Sequence, residues 1–341
     1  MKLKKFVVIC SIHKAIKSYI KQVKYMKIGI LTSGGDAPGM NAAIRAVVKS
    51  ANYNGIEVLG IKYGYKGLIE EDIIKLNNLD IDGIAEKGGT ILKTARCLEF
   101  MDEGGRKKAL ETLKKFEIDS VVVVGGDGSF QGAKELSKLG IKVIALPGTI
   151  DNDLAYTDYC IGFDTTLNTV LECIGKIRDT DSSHEKTTIV EVMGRYCGDL
   201  ALYSALAGGG EIISTPERKL DFNTICNKLS KNISKGKNDN VIIITERMYD
   251  IEELQKYIEK RLKISIRNTV LGFIQRGGNP SAFDRVLASK MGVKAVELLM
   301  KGFAGRAVGI KDNKIIDVDF SKVNSKNTDK QKEYDLLKLL L

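Results

Sequence analysis

The sequence predicts an α/β fold with mostly parallel sheets. Two apolar runs, residues 121–124 and 143–146, have the β-branched composition and the length of strands that are buried on both faces. The segment between them, residues 130–140, carries apolar side chains at helical spacing and ends in a glycine that can terminate a helix. A strand, a helix and a second strand in this order form a unit whose two strands are parallel. With 341 residues, the chain is long enough for two domains of this class.

A polar, glycine-containing turn follows each of these two predicted strands. Residues 125–129 follow the first strand and residues 147–153 follow the second. In open α/β sheets, ligands bind beyond the carboxyl ends of the strands, where both turns are expected to lie. Glycine lets the backbone approach a phosphate closely, Asp127 is placed to hold a metal ion on it, and Asp151 and Asp153 are available for proton transfer. The pattern predicts a phosphoryl-transfer site.

The same patterns predict further elements along the chain. The first strand, residues 28–31, leads into a glycine turn, and a helix begins at Pro38 and Gly39, where free backbone N–H groups attract anions. Residues 336–341 predict a short closing helix that packs onto the protein. The remaining predicted strands are 57–61, 189–192 and 241–244, and the remaining helices are 167–177, 199–207 and 285–300. The last of these is predicted to bury Val286, Met291, Ala295 and Leu298.

The net charge of +10 is concentrated at the N-terminus. Residues 1–25 contain seven lysines and no acidic residue, whereas the rest of the chain has 46 basic and 43 acidic side chains. This near-balance argues against a nucleic-acid partner. Residues 1–25 also carry an apolar stripe at helical spacing, which is found in membrane-surface helices and targeting segments. We favour the alternative that they are a basic extension outside the fold, because residues 26–30 form a natural first strand.

The remaining composition narrows the functional class. No apolar run approaches the ~20 residues that a transmembrane helix needs, so no membrane partner is expected. The cysteines show neither metal-type clustering nor a dense disulfide pattern, which predicts a reducing, cytoplasmic environment. Only two histidines are present, and the sequence therefore disfavours a mechanism based on histidine. The six cysteines are Cys10, Cys97, Cys160, Cys173, Cys197 and Cys226.

Five motifs lie in one order along the chain: residues 31–41, 125–129, 147–153, 191–199 and 274–278. Together they resemble the ATP-dependent 6-phosphofructokinase family of bacterial type. The resemblance implies two Rossmann-like three-layer domains with mostly parallel sheets, assembled as a homotetramer. Residues 26–161 plus 275–325 would form the ATP-binding domain, and residues 162–274 plus 326–341 the fructose 6-phosphate-binding domain. The second motif alone would also fit a nicotinamide-nucleotide kinase or a lipid kinase, but it leaves the third and fourth unexplained.

The resemblance implies transfer of the ATP γ-phosphate to the 1-hydroxyl of fructose 6-phosphate. Asp151 would be the base, Asp127 would hold Mg²⁺, and Asp153 would support the turn or the metal. The transferring phosphoryl group would be stabilised by Thr149, Arg96 and Arg195, since a guanidinium suits phosphate geometry. The implied nucleotide site comprises Gly35, Tyr65, Arg96, Cys97, Gly126, Asp127, Gly128, Ser129 and Gly132.

The implied sugar-phosphate site departs from the family at two positions. Lys186 stands where an arginine is usual, and Phe273 stands where a histidine is usual, so the site loses a bidentate cation and a donor. We therefore expect weakened fructose 6-phosphate binding with catalysis retained; the alternatives are a kinase for another sugar phosphate or a catalytically silent sensor. Arg267 would reach the 6-phosphate from a neighbouring subunit. The full set is Thr149, Ile150, Asp151, Lys186, Met193, Gly194, Arg195, Glu246, Arg267, Phe273 and Arg276.

Donor choice and regulation can also be compared with the family. Pyrophosphate-using relatives usually carry an aspartate at the position of Gly128 and a lysine at that of Gly148, so two glycines favour ATP. An effector site for ADP or phosphoenolpyruvate is expected to be blunted, because Lys49, Asn78 and Asp239 replace two arginines and a histidine. The implied effector residues are Arg45, Lys49, Arg178, Glu211, Lys235 and Lys237.

Overall fold

The computed structural model describes residues 26–323 and 330–340. Within these ranges the chain forms two separate sheets with helices packed on them, which confirms the α/β prediction. The interpretation of residues 1–25 lies outside the described residues. None of the helices in the described ranges is both long and apolar enough to cross a membrane.

The larger sheet has seven strands in the order β11-β10-β5-β4-β1-β2-β3. Its edge strands β3 and β11 are antiparallel to their neighbours, and the other pairs are parallel. The two central valine-rich and isoleucine-rich strands are buried because helices cover both faces of the sheet. The strands are β1 Lys27–Ser33, β2 Glu57–Ile61, β3 Ile73–Leu76, β4 Ser120–Gly125, β5 Lys142–Pro147, β10 Arg306–Lys311 and β11 Lys314–Asp319.

The smaller sheet has four parallel strands in the order β7-β8-β6-β9. The inner strands β6 and β8 are almost entirely buried, whereas the edge strand β9 exposes most of its residues. The strands are β6 Thr187–Val192, β7 Ile212–Ser214, β8 Val241–Thr245 and β9 Ile266–Val270.

Ten α-helices cover the sheets in the described part of the chain. They are α1 Met40–Tyr53, α2 Tyr65–Glu70, α3 Glu103–Lys115, α4 Asp127–Lys138, α5 Phe163–His184, α6 Asp199–Gly208, α7 Phe222–Ser234, α8 Ile251–Leu262, α9 Ala282–Met300 and α10 Gln331–Leu340. Helices α1 and α9 pack closely, because a Cβ atom on Gly292 would lie only 2.6 Å from the Cβ of Ala46. Short 3-10 helices span Glu99–Met101, Gly272–Arg276 and Phe320–Lys322.

The helices differ from the sequence predictions in three respects. The predicted helix 167–177 is the middle of the 22-residue α5. Val286 was predicted to be buried, which is wrong: it is 52% exposed, since the buried stripe of α9 runs through Leu287, Ala288 and Met291. The closing helix predicted over residues 336–341 is part of α10, which begins five residues earlier at Gln331 and buries only Leu337 among its described side chains.

In the described residues, the segment that leaves the larger sheet is hydrogen-bonded to the segment that returns to it. The buried Asp284, on α9, accepts hydrogen bonds from the backbone N–H groups of Gly162 and Thr165 at 2.9 and 2.8 Å. The Thr166 hydroxyl donates to the Gln275 carbonyl at 2.7 Å. These contacts fix the start of α5, where the chain leaves the larger sheet. The exact domain boundaries predicted from the sequence stay a prediction.

Candidate active site

The first turn of the site lies between β4 and α4. The Ser129 hydroxyl donates to the carbonyl of Ser33 at 2.9 Å, which ties this turn to the end of β1. The Tyr65 hydroxyl donates to the Ser129 carbonyl at 2.6 Å, and a Cβ atom on Gly132 would lie 2.5 Å from the Tyr65 ring. Gly132 is therefore required for packing. Tyr65 is buried beneath the turn, where it supports the backbone instead of facing an open surface.

The second turn follows β5 and carries the two carboxylates. The backbone N–H of Asp151 donates to the Thr149 hydroxyl at 3.2 Å. The Oδ1 atoms of Asp151 and Asp153 are both buried and have no hydrogen-bond partner among the described residues. Buried polar groups without partners are costly, so their presence side by side is characteristic of a site that a ligand completes.

The electrostatic environment makes Asp151 an unusually strong base for a carboxylate. Burial raises its pKa to about 6, and the negative charges of Asp153 and Glu246 contribute to the increase. The positive charges of Arg276 and Arg195 act in the opposite direction. A carboxylate with a pKa near neutrality is suited to accept a proton during catalysis.

The smaller sheet contributes the turns after β6 and β8. The backbone N–H of Arg195 donates to Glu246 Oε1 at 3.2 Å, so the two turns are linked. Gly194 has a φ of +129°, and a Cβ atom there would lie 2.4 Å from the Cys197 carbonyl oxygen. Only glycine fits that position without strain. The turn after β6 is thus shaped by glycine, and it carries Arg195, whose positive charge influences the pKa of both carboxylates.

Arg276 lies between the turns of the two sheets. Its guanidinium occupies the space beside Gly35, where an added Cβ atom would lie 2.1 Å from Nη1. The same group is 4.0 Å from Asp36 and 5.7 Å from the centre of the Phe273 ring, and its buried Nε has no hydrogen-bond partner among the described residues. Residues predicted for the nucleotide and for the sugar phosphate therefore meet at Arg276.

Asp127 and Asp153 are suited to a divalent cation. Burial raises the pKa of Asp153, and the negative charge of Asp127 raises it further, so the two charges are close enough to interact. Mg²⁺ usually takes one or two carboxylates together with phosphate oxygens. The described residues contain no cluster of three or more acidic, histidine or cysteine side chains that could hold a metal ion.

Comparison with known proteins identifies the family. A profile described as Phosphofructokinase matches residues 27–299. The chain belongs to the phosphofructokinase family. It is 57% identical over 314 residues to an ATP-dependent 6-phosphofructokinase of Alkaliphilus metalliredigens and 55% identical to one of Clostridioides difficile; each alignment covers 92% of this chain and 98% of the relative.

Solved phosphofructokinase structures share the fold. A phosphofructokinase from Saccharomyces cerevisiae superimposes with a TM-score of 0.81 at 33% identity over 92% of this chain. This chain spans about half of that larger protein, 46% of its length. The similarity confirms the prediction of a two-domain α/β phosphofructokinase fold.

The structure places the other predicted nucleotide residues around the first turn. The loop before α3 contains Arg96, which is exposed, and Cys97, which packs against the core of the larger sheet. Thr94 on this loop donates to the Gly34 carbonyl at 2.7 Å, so the loop lies beside the β1 turn. Gly128 has open space where a side chain would project.

Two predicted sugar-phosphate residues lie far from the others in the same chain. Lys186 precedes β6 and Arg267 is near the start of β9, whereas Met193 and Arg195 follow the end of β6. The length of β6 separates these ends by roughly 17 Å. One chain therefore does not bring all of the predicted sugar-phosphate residues together.

The predicted effector residues form one cluster and a separate pair. Arg178 donates to both carboxylate oxygens of Glu211 at 3.0 and 3.1 Å, and Lys237 pairs with the same carboxylate at 3.0 Å. Lys235 ends α7 nearby in the sequence, whereas Arg45 and Lys49 lie on α1, which packs on the larger sheet.

Gln275 supports the backbone of the candidate site, although the sequence analysis did not single it out. It is fully buried, and its Oε1 accepts the backbone N–H of Met193 at 3.0 Å. Its side-chain amide donates to the Gly272 carbonyl at 3.0 Å. Gln275 thus positions the turn after β6 and also precedes Arg276. A polar residue within the apolar run 270–275 is the signal that could have indicated it.

Proposed function

We propose that this protein transfers the γ-phosphoryl group of ATP to the 1-hydroxyl of fructose 6-phosphate, giving fructose 1,6-bisphosphate and ADP. The observation that carries the proposal is the pair of buried, unpartnered carboxylate oxygens of Asp151 and Asp153 beside a glycine-rich turn. The pair supplies a base and a second acidic group at the same sheet edge. The naming of close relatives as ATP-dependent 6-phosphofructokinases supports the same reaction.

In the proposed mechanism, Asp151 accepts the proton of the sugar 1-hydroxyl as the new O–P bond forms. Thr149 holds the backbone of Asp151 in place through its hydroxyl. Arg195 supplies positive charge beside the transferring phosphoryl group, and its influence on the pKa of both carboxylates indicates that it is close enough to do so. Arg276 and Glu246 would bind the sugar phosphate and its hydroxyls.

Asp127, together with Asp153, would hold Mg²⁺ at the nucleotide phosphates. Bound there, the ion would neutralise phosphate charge that develops during transfer. The side-chain amide of Gln131 lies 3.4 Å from Asp127 Oδ1, which helps to orient this carboxylate.

ATP is favoured as donor by the open space at Gly128, where an aspartate would place a negative charge beside the nucleotide. Gly148 was expected to favour ATP because pyrophosphate-using relatives usually carry a lysine at this position, but the space around it is not open like that at Gly128. A Cβ atom there would point into the protein and lie 2.9 Å from Val124, so a lysine would require the turn to shift.

We also propose that a second copy completes the sugar-phosphate site. Lys186 and Arg267 are at the opposite end of the smaller sheet from Arg195, and Arg267 lies on the exposed edge strand β9. A homotetramer, as in the family resemblance, would supply these two cations from a neighbouring chain. We also propose the domain boundaries predicted from the sequence. They are supported by the sheets, since all strands of each sheet lie within one of the two predicted domains.

An anionic effector, ADP or phosphoenolpyruvate, is proposed to have little influence. Glu211 already neutralises much of the charge of Arg178 and Lys237, and this reduces the attraction of an anion. A cytoplasmic location stays a prediction from cysteine usage.

The direct test is formation of fructose 1,6-bisphosphate by purified protein with Mg²⁺ and either ATP or pyrophosphate. Turnover with ATP alone supports the proposal. Turnover with pyrophosphate would contradict the interpretation of Gly128. Nucleotide binding without turnover would favour a sensor or another sugar phosphate.

The rate should depend on the ionisation of Asp151. We expect kcat/KM to rise with pH and to level off above about 6, because only the ionised carboxylate accepts a proton and its pKa is raised to about 6. Below that pH, kcat/KM should fall about tenfold per pH unit. The pH–rate profile measures this fall. Circular dichroism at each pH is the control for loss of structure, because burial also raises the pKa of the structural Asp284 to about 6. An acid limb at the ordinary value of 3.8 would contradict the assignment.

Phe273 should limit sugar-phosphate affinity. The side chain is 81% exposed beside Arg276, so Phe273→His would add a donor without disturbing the core. We expect KM for fructose 6-phosphate to fall about 10–100-fold with kcat little changed. Phe303→His, at another exposed phenylalanine, is the matched control. Equal KM values in both variants and the wild type would refute the prediction.

A further inference from the structure

The side chain between the two turn carboxylates is fixed by three hydrogen bonds. Asn152 is buried and has a φ of +53°, a left-handed conformation that asparagine tolerates better than most residues. Its amide nitrogen donates to the Asp158 carbonyl at 3.2 Å and to Asp199 Oδ2 at 2.9 Å. Its Oδ1 accepts the backbone N–H of Cys160 at 2.8 Å. The conformation of the turn therefore depends on Asn152 and its partners.

Asp199 connects this turn to the C-terminal segment. It is the first residue of α6, is only 3% exposed, and pairs with Lys330 Nζ at 3.4 Å. Lys330 lies immediately before α10 and is also 5.6 Å from the centre of the Tyr203 ring. A buried carboxylate needs a counter-charge, and Lys330 supplies it.

Other contacts hold α10 in the position that this pairing requires. The Tyr334 hydroxyl is hydrogen-bonded to the Thr215 hydroxyl at 2.5 Å, and the Arg218 guanidinium lies 3.7 Å from the centre of the Tyr334 ring. Since Tyr334 anchors the helix independently, removal of the Lys330 charge should leave α10 docked.

We propose that Lys330 is a positioning residue for phosphoryl transfer, acting through Asp199 and Asn152 on the turn that carries Asp151 and Asp153. The proposal rests on the proposed function for its kinetic consequence. Without Lys330, the buried Asp199 loses the cation that compensates it, and water or another donor competes with Asn152 for its carboxylate. Loss of the Asn152 contact frees the turn, and a displacement of about 1 Å at a reacting group costs up to ~100-fold in rate.

The test compares Lys330→Met with Lys338→Met. Lys338 is an exposed lysine on α10 that pairs with Asp335 at 3.1 Å, so it is a matched control outside the network. Steady-state kinetics gives kcat and KM for both substrates. Hydrogen exchange is measured on peptides covering residues 149–160 and 330–340, the second of which reports whether α10 stays docked.

We expect Lys330→Met to lower kcat about 10–100-fold, with KM for ATP little changed and faster exchange in residues 149–160. Lys330→Arg should recover most of kcat. The double variant Asp199→Asn/Lys330→Met should lose less kcat than the sum of the free-energy losses of the two single variants predicts. The reason is that no uncompensated charge is then buried.

Unchanged exchange in residues 149–160 of Lys330→Met overturns the link between Lys330 and the turn. Faster exchange with unchanged kcat overturns the positioning role, and so does an equal loss in Lys338→Met. If the wild-type protein has no activity with fructose 6-phosphate, the proposed function fails, while the exchange measurement still decides whether Lys330 holds the turn.

Discussion

Asp151→Asn should reduce kcat by about 10²–10⁴-fold, the range that a positioned general base contributes. Asparagine has the shape of aspartate but does not accept a proton near neutral pH. The wild-type carboxylate is prepared for this task, because burial raises its pKa to about 6 and leaves Oδ1 without a partner among the described residues. Steady-state turnover with saturating ATP and sugar phosphate measures the loss.

Nucleotide binding separates a catalytic effect from a structural one. Asp151 lies on the turn after β5 and is not among the residues assigned to the nucleotide, so calorimetry should show ATP affinity close to that of the wild type. Asp80→Asn, at an exposed aspartate after β3, is the matched control and should retain full activity. A kcat for Asp151→Asn within about tenfold of the wild type would remove Asp151 from the role of base.

Arg195→Met should reduce kcat by about 10²–10³-fold, comparable with the loss of one donor aimed at transition-state charge. The variant should also move the acid limb of the pH–rate profile to higher pH. The sign follows because the Arg195 charge lowers the pKa of Asp151, and its removal leaves the effects of burial, Asp153 and Glu246 less opposed. Turnover measured across pH tests both effects in one series.

Arg247→Met is the matched control for Arg195. Both arginines are exposed, both have a positive φ, of +56° and +66°, and each follows the end of a strand in the smaller sheet. Arg247 has no part in the proposed mechanism, so its loss should leave kcat and the acid limb unchanged. Similar losses in the two variants would indicate a general effect of surface charge and would contradict a specific role for Arg195.

The fold was largely predictable because its strands depend on local composition. Runs such as 121–124 and 241–244 are apolar enough to be strands in any parallel sheet, and glycines mark where they end. Since parallel strands end at one edge, the approximate position of Asp127 and Asp151 followed directly. The sequence predictions were wrong where packing between neighbouring elements decides which side chains are buried. Val286 is exposed because the packing of α9 on α1 selects a stripe one position away.

The sequence predicted the members of the candidate site, whereas their arrangement came from the structure. Tyr65 was expected to contact the nucleotide, yet its hydroxyl donates a hydrogen bond to the Ser129 carbonyl and so holds the backbone there. Arg276 was expected only at the sugar phosphate, yet its guanidinium lies beside Gly35. Side-chain direction depends on which segments pack nearby, and spacing along the chain contains no such information.

The sequence by itself determined the fold class, the family resemblance and the residue types proposed for phosphoryl transfer, because these depend on local patterns and on motifs of adjacent residues. Only the tertiary structure decided the raised pKa of Asp151, the separation of Lys186 from Arg195 and the pairing of Lys330 with Asp199. The burial of a site and the charges around it are set together by segments that are far apart in the chain. This environment forms only after folding has brought the segments together.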